Sequence, residues 1–273
     1  MNAADEHTAS KLISTAVARV LEEGALATLV TLIDAPRGVG AKVLIEKSGE
    51  IVGSTNDREL DARLAAHANL FLASRAEART YNIEEFAEEL TRWRGARVLF
   101  ERIEPEPHVV VCGAGHVGAS LARLAHAVGY RVTLIDDRAD FVTRARFPDT
   151  GIELIAAESW TDAVREAVGA GGLGVSVAVV TRGHNEDEEC MRAVLQARPA
   201  YVGMIGSKRR TNIVLDRLRE SGVDETALRE VRAPIGLDIA AVAPEEVALA
   251  ILAEIVAERR GGTGAPLSAW RRK

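Results

Sequence analysis

Gly113-Ala114-Gly115-His116-Val117-Gly118 stands between an apolar strand-sized run, residues 109–112, and a helical stripe of Val117, Leu121, Leu124 and Val128. This placement narrows the fold more than any other feature of the chain. In a strand–turn–helix unit the first glycine permits the tight turn, the second lets a pyrophosphate approach the backbone, and the third allows close helix packing. The start of the helix then offers free N–H groups to an anion. The next apolar run ends at Asp136, 18 residues beyond Gly118, where a carboxylate can accept hydrogen bonds from ribose hydroxyls. Gly113, Gly115, His116, Gly118, Asp136, Asp137 and Arg138 are therefore candidate binding residues of a Rossmann-type domain. A turn that uses its glycines for geometry alone is the competing reading. The two acids predict that any bound dinucleotide carries a free ribose diol, because a 2′-phosphate meets like charge there, offset only in part by Arg138.

Apolar runs at residues 131–135, 152–155, 175–180 and 201–205 alternate with helical stretches. Such a pattern predicts a doubly wound parallel sheet covered on both faces. A last helix opens on Pro244-Glu245-Glu246, good first-turn residues, and carries Val247, Ile251 and Ile255 before Gly261. Residues 1–104 read differently, as a small α+β domain. A first helix bears Leu12, Ala16 and Val20 behind Thr8 and Ser10, and Gly24 stops it. Strands at 25–33 and 41–51 surround a Lys47-Ser48-Gly49-Glu50 turn, and a second helix carries Leu60, Leu64, His67 and Phe71. A short helix near Glu84 and a strand at 97–100 complete it. Pro105 and Pro107 suit a linker over 105–107, followed by the Rossmann-like domain at 108–261 and a tail at 262–273.

Two further loops sit at expected carboxyl ends of parallel strands, where open α/β sheets bind ligands. Gly206-Ser207-Lys208-Arg209-Arg210 opens a helix with three cations, which oppose the helix dipole unless an anion compensates them. They predict a phosphate or carboxylate seat capped by Ser207, with a solvated basic surface as the alternative. His184 begins another such loop and is a candidate ligand contact facing the same cleft as His116. The acids that follow it, Glu186 to Glu189, read as helix initiation with Asn185 as cap. Cys112, Cys190 and His67 read as packed core residues. The chain has no GxSxG, HExxH or GxxxxGK[ST] motif, which weakens hydrolase and phosphotransferase readings.

A formal net charge of −6 argues against a general nucleic-acid or anionic-membrane binder. No apolar run is long enough to span a bilayer, the polar Met1 to Ser10 lacks a signal-peptide pattern, and two cysteines make no disulfide framework. A cytoplasmic protein is expected.

These residues together resemble the xanthine dehydrogenase accessory family (XdhC/CoxF type). The resemblance runs through the GAGHVG turn, Phe147-Pro148, Thr181-Arg182-Gly183-His184, the run from Tyr201 to Arg209 in YVGMIGSKR, and Ala233-Pro234-Ile235-Gly236-Leu237-Asp238-Ile239 before Pro244. It covers essentially the whole C-terminal domain. A weaker likeness to the family's N-terminal domain rests on residues 24–28, 35–37, 40–42 and 49–54. What it implies is a chaperone that binds the molybdenum cofactor, as molybdopterin or its dinucleotide, and delivers it to an apo molybdenum hydroxylase. A cysteine desulfurase as second partner and self-association as a dimer are implied in the same way. The chain departs from the family at Glu59, in whose register many relatives carry a cysteine; a hard carboxylate does not replace a soft thiolate. An oxidoreductase that uses an NAD-like nucleotide is the alternative, although the small N-terminal domain offers no evident acid/base pair.

Overall fold

The structure, a computed structural model, describes residues 3–169, 172 and 174–268, and the side chains of these except 3–9, 184 and 185. The chain divides into two compact units, Met1–Pro105 and Glu106–Lys273.

In the first unit the order is α1 (Ala3–Glu22), β1 (Ala27–Asp34), β2 (Lys42–Glu46), β3 (Ile51–Gly53), α2 (Arg58–Ala73), β4 (Ala78–Asn82), two single 3-10 turns at Ile83–Glu85 and Thr91–Trp93, and β5 (Arg97–Ile103). The strands form an antiparallel sheet in the order β3-β2-β1-β5-β4. Alternation of side chains across each strand feeds two cores. Val30, Leu32, Val43 and Ile45 meet Leu60, Leu64 and Phe71 of α2, while Ala27 and Leu44 meet Ile13, Ala16 and Val20 of α1. Helix α1 starts at Ala3, so Thr8 and Ser10 lie inside it rather than before it; residues 3–7 carry no helix breaker, and helix formers extend a helix past a cap-type residue that is not needed. His67 is stacked on Phe86 with ring centroids 4.6 Å apart, and burial lowers its pKa from the ordinary histidine value.

The second unit runs β6 (His108–Cys112), α3 (His116–Ala127), β7 (Arg131–Asp136), a 3-10 turn at Ala139–Phe141, β8 (Ile152–Ala156), α4 (Trp160–Val168), β9 (Val175–Val179), α5 (His184–Ala197), β10 (Tyr201–Met204), α6 (Lys208–Glu220), α7 (Glu225–Glu230) and α8 (Pro244–Arg260). Its strands are parallel in the order β10-β9-β6-β7-β8. Val109 and Val111 of β6 pack toward Leu121 and Ala125 of α3 and Ile251 and Ile255 of α8. Val110 and Cys112 face the opposite core with Val164 of α4, Cys190 and Met191 of α5 and Val214 of α6. Both faces are thus covered, which is why these strands read as unbroken apolar runs. Among the described residues no helix is long and apolar enough to cross a membrane.

Candidate functional site

After β6 the chain fills the sheet in one direction, through β7 and β8, and then returns to the other side of β6 with β9 and β10. The reversal leaves a crevice beyond the carboxyl ends of β6 and β9, the position at which open α/β sheets bind ligands. A cavity of about 340 Å³ lies there, lined by the glycine turn, His116, the residues after β7, Trp160, Thr181-Arg182, Gly206, Arg210 and Pro244.

The three glycines of the turn do different work. Gly113 has φ +115°, and a Cβ there would stand 2.6 Å from the Val180 carbonyl oxygen. At Gly118 a Cβ would stand 1.8 Å from the Gly113 carbonyl oxygen, so the start of α3 packs directly on the turn. Gly115, the N-cap of α3, differs: a Cβ would meet nothing within 4 Å. Its missing side chain leaves open space at the helix start, where N–H groups lack intrahelical partners. His116, the first residue of α3, is exposed and lines the cavity.

Asp136 does not present a free carboxylate. It is 1% exposed; one oxygen accepts from the Arg138 backbone N–H (2.9 Å) and Nε (2.8 Å), the other from the Ala114 N–H (2.6 Å) and Arg138 Nη2 (2.9 Å). Those four donors fill the roughly four acceptor sites of a carboxylate. The expected ribose contact would thus have to compete with these four bonds, which tie the glycine turn to Arg138. Burial pushes its pKa up, but the bonds from Arg138 and Ala114 outweigh that and hold it below the ordinary carboxylate value. Asp137 is gripped in turn by Arg182, whose Nη1 and Nη2 lie 2.7 and 2.9 Å from its two oxygens. Because β7 and β9 flank β6, this ion pair spans from one side of the glycine turn to the other.

The basic loop divides into two parts. Ser207 caps α6, its hydroxyl accepting from the Arg210 N–H at 3.2 Å, as expected. Arg210, however, is not an uncompensated cation: its Nε lies 2.8 Å from the carboxylate of Asp187, which is fully buried and also accepts from the Thr181 hydroxyl. Arg210 and Gly206 line the cavity, whereas the exposed Lys208 and Arg209 do not. The expected seat of three free cations thus reduces to one arginine, already paired by an acid that the sequence suggested was merely a helix starter. That helix, α5, begins at His184 on Gly183 as N-cap, so Asn185 is inside it. The side chain of His184 lies outside the described residues.

Sequence reasoning missed Arg182 and Trp160 as cavity residues. Arg182 had a usable signal, since it stands three residues past a parallel strand at the ligand edge. Cys112 and Cys190 are fully buried in the core, and burial, with the neighbouring Cys112 thiol, pushes the Cys190 thiol well up. In the first unit, Glu59 is an exposed residue of the α2 first turn that accepts from Arg92 Nη2 at 2.7 Å. The adjacent Asp57 caps α2 and gathers Arg92 Nε (2.8 Å) and Trp93 Nε1 (2.9 Å).

With this geometry in place, comparison with known proteins is decisive for the family. A model described as the XdhC Rossmann domain matches residues 109–255, more than half of the chain. The chain belongs to the XdhC family. A second model, pyridine nucleotide-disulphide oxidoreductase, matches residues 27–162, which include the glycine turn. Among similar proteins, the uncharacterized protein YqeB of Escherichia coli (strain K12) is 31% identical over 158 residues, 58% of this chain and 28% of YqeB. A probable xanthine dehydrogenase subunit of Bacillus subtilis (strain 168) is 29% identical over 163 residues, 60% of this chain and 46% of that protein. The match therefore spans less than half the length of either. The molybdenum cofactor insertion chaperone PaoD of Escherichia coli (strain K12) is 23% identical, over 88% of this XdhC chain and 85% of PaoD. A crystal structure of a xanthine dehydrogenase from Bacillus halodurans superposes with a TM-score of 0.50 at 17% identity, covering 94% of this chain and 98% of that one, which shows the fold.

Proposed function

We propose that this chain is a molybdenum-cofactor chaperone, which holds a phosphate-bearing molybdopterin in the cleft at the carboxyl edge of the parallel sheet and passes it to an apo molybdenum hydroxylase. The observation that carries the reading is the open space at Gly115, set against free N–H groups at the start of α3. Such a cradle accepts a phosphate oxygen at close range, and molybdopterin ends in a phosphate. The names of PaoD and of the Bacillus subtilis relative support the same cargo and the same kind of client.

The cofactor is cargo, and its molybdenum is carried on the pterin's own dithiolene. This chain's residues supply the rest: α3 holds the phosphate end, Arg182 and Arg210 add positive charge along the crevice, and Trp160 and Val180 give it an apolar floor. Sulfur chemistry belongs elsewhere, because both cysteines of this chain are buried and Glu59 offers a carboxylate, not a thiolate. A cysteine desulfurase is thus a separate partner, acting in the cytoplasm on cofactor held by a dimer of this chain.

The test is to produce the chain together with the cofactor pathway, purify it and assay bound pterin by fluorescence after oxidation. Bound pterin, lost in a Gly115→Val variant of native circular dichroism, is expected. Absence of pterin from the wild-type protein, together with full molybdenum hydroxylase activity in a strain lacking it, sinks the reading.

A further inference from the structure

We infer that the end of the cleft beyond β7 is built to take a phosphomonoester, and that Arg138 is the group that reads it in place of a ribose diol. The inference rests on the ligand lying in this cleft as proposed above, and goes further by naming what its far end must carry.

A site for a ribose diol needs a carboxylate with free acceptor sites. Asp136 has none left, because Ala114 and Arg138 occupy both oxygens. Asp137 is likewise engaged by the Arg182 fork. The like-charge repulsion that the sequence predicts against a 2′-phosphate is therefore cancelled, one arginine for each acid. Arg138, which is half-buried, lines the cavity beside these two engaged acids. Of its five N–H donors, Nε and one Nη2 hydrogen go to Asp136, leaving three without a hydrogen-bond partner among the described residues. Its orientation is fixed three times over, by the two-point contact with Asp136, by its own backbone N–H on the same carboxylate, and by stacking on Phe141 with Cζ 3.5 Å from the ring centroid.

A second cation sits beside it. Arg146 stacks on the same Phe141 ring at 4.4 Å, and its guanidinium donates to the Phe141 carbonyl at 3.1 Å and the Ala114 carbonyl at 3.4 Å. Among the described residues no carboxylate pairs with it. Arg138 is charge-paired by Asp136, so the uncompensated positive charge at this point is that of Arg146. A dianion here compensates that charge and gains charge-assisted hydrogen bonds from the free Arg138 donors. A neutral diol does neither. An arginine at the end of the second strand is also the group by which dinucleotide-binding folds accommodate a 2′-phosphate.

The phosphomonoester has two possible sources: the 2′-phosphate of a nucleotide, or the one phosphate of molybdopterin, seated at Arg138 instead of at the start of α3; the dinucleotide form has no such monoester. Titration calorimetry of the full chain with NADP+ and NAD+ at matched ionic strength tests the seat. NADP+ should bind at least tenfold more tightly than NAD+, and Arg138→Gln should bring the two within threefold while circular dichroism stays native. Arg229→Gln, on exposed α7, should leave the preference intact. Binding of molybdopterin, released from a molybdoenzyme, to wild type and to Arg138→Gln separates the sources. Weakened pterin binding in the variant assigns the seat to the pterin phosphate, and unchanged pterin binding assigns it to a 2′-phosphorylated nucleotide. Equal affinity for the two nucleotides, a preference that survives Arg138→Gln, or no binding of either overturns the inference. Pterin retained by the protein after any of these results leaves the chaperone reading standing, and pterin lost as well removes both.

Discussion

Asp187, with no exposed surface, holds Arg210 by a carboxylate-to-Nε hydrogen bond of 2.8 Å between the first turns of α5 and α6. A third group joins them: Thr181, two residues past β9, donates its hydroxyl to the same carboxylate. One buried acid thus ties together the two loops that form the β9 and β10 side of the cleft.

Removing Arg210 leaves that buried charge unpaired, so Arg210→Ala should cost about 3 kcal/mol, the low end for broken buried pairs because the arginine is one-quarter exposed. Replacing both, as Asp187→Asn with Arg210→Gln, should cost less than the sum of the single changes. Urea unfolding of the four proteins gives the coupling, and strict additivity refutes the tie.

Lys208 and Arg209 are exposed and outside the cavity. Their alanine variants should lie within about 0.5 kcal/mol of wild type and bind pterin as it does. Ser207→Ala, by contrast, should cost about 1 kcal/mol through the lost cap. Thermal melts and bound-pterin assays check both statements.

The parallel sheet was legible because its strands are buried on both faces and announce themselves as apolar runs, with the glycine turn marking the reversal point. β4 escaped notice since Ala78–Asn82 buries only Tyr81 and pairs at a sheet edge, leaving almost no alternation to read. α7 escaped because six residues give less than two turns of periodicity. At the site, residue types at the ligand edge were visible, but their partners were not. Asp136 faces Arg138 rather than solvent, and Arg210 meets an acid 23 residues earlier in the chain. Local sequence shows which charges stand at an edge, whereas the fold alone decides which of them neutralise one another.

His108 offers a pH test. It is 4% exposed, and its Nε2 is 2.9 Å from the Thr133 hydroxyl, which itself donates to Glu153 at 2.7 Å, so the histidine is the donor and Nε2 carries the proton. Burial, helped by Arg131, pushes its pKa down to about 4. The unfolded chain binds this proton near pH 6.5, so the stabilisation is complete above that value and is lost as the pH falls toward 4. Between pH 7 and 5 the wild type should lose roughly 2 kcal/mol more than His108→Gln in urea titrations. Parallel pH profiles would contradict the buried neutral state.

Asp57 works in the opposite direction. Hydrogen bonds from Arg92, then Trp93 and the Leu60 N–H, hold its pKa well below the ordinary carboxylate range despite burial. Its contribution is therefore present above about pH 4, the unfolded value, and is lost as the pH drops further. Asp57→Ala removes the α2 cap and leaves the buried Trp93 N–H without an acceptor, for a cost of about 3 kcal/mol. Asp57→Asn keeps one acceptor oxygen, which can hold the α2 cap but sets an NH2 donor against the Trp93 N–H, and should lose less than Asp57→Ala. A pair of variants with equal stability at pH 7 disproves this account.

Gly115 and Gly118 separate folding from binding. At Gly118 a methyl group would stand 1.8 Å from the Gly113 carbonyl oxygen, backbone that cannot yield without lifting α3 off the turn. Gly118→Ala should therefore cost about 3 kcal/mol or more, beyond ordinary overpacking. At Gly115 the methyl meets nothing, and φ −67° suits any residue, so Gly115→Ala should change stability by less than about 1 kcal/mol. In the proposed reading a phosphate oxygen approaches the α3 N–H groups through that open space, and even one methyl group there would lengthen those bonds. Binding of a phosphate-bearing ligand should fall on the order of tenfold, one lost charge-assisted hydrogen bond, in a protein whose melting temperature hardly moves. Unchanged affinity in stable Gly115→Ala would show that the ligand does not use the turn, and the glycines would then serve strand-to-helix geometry alone.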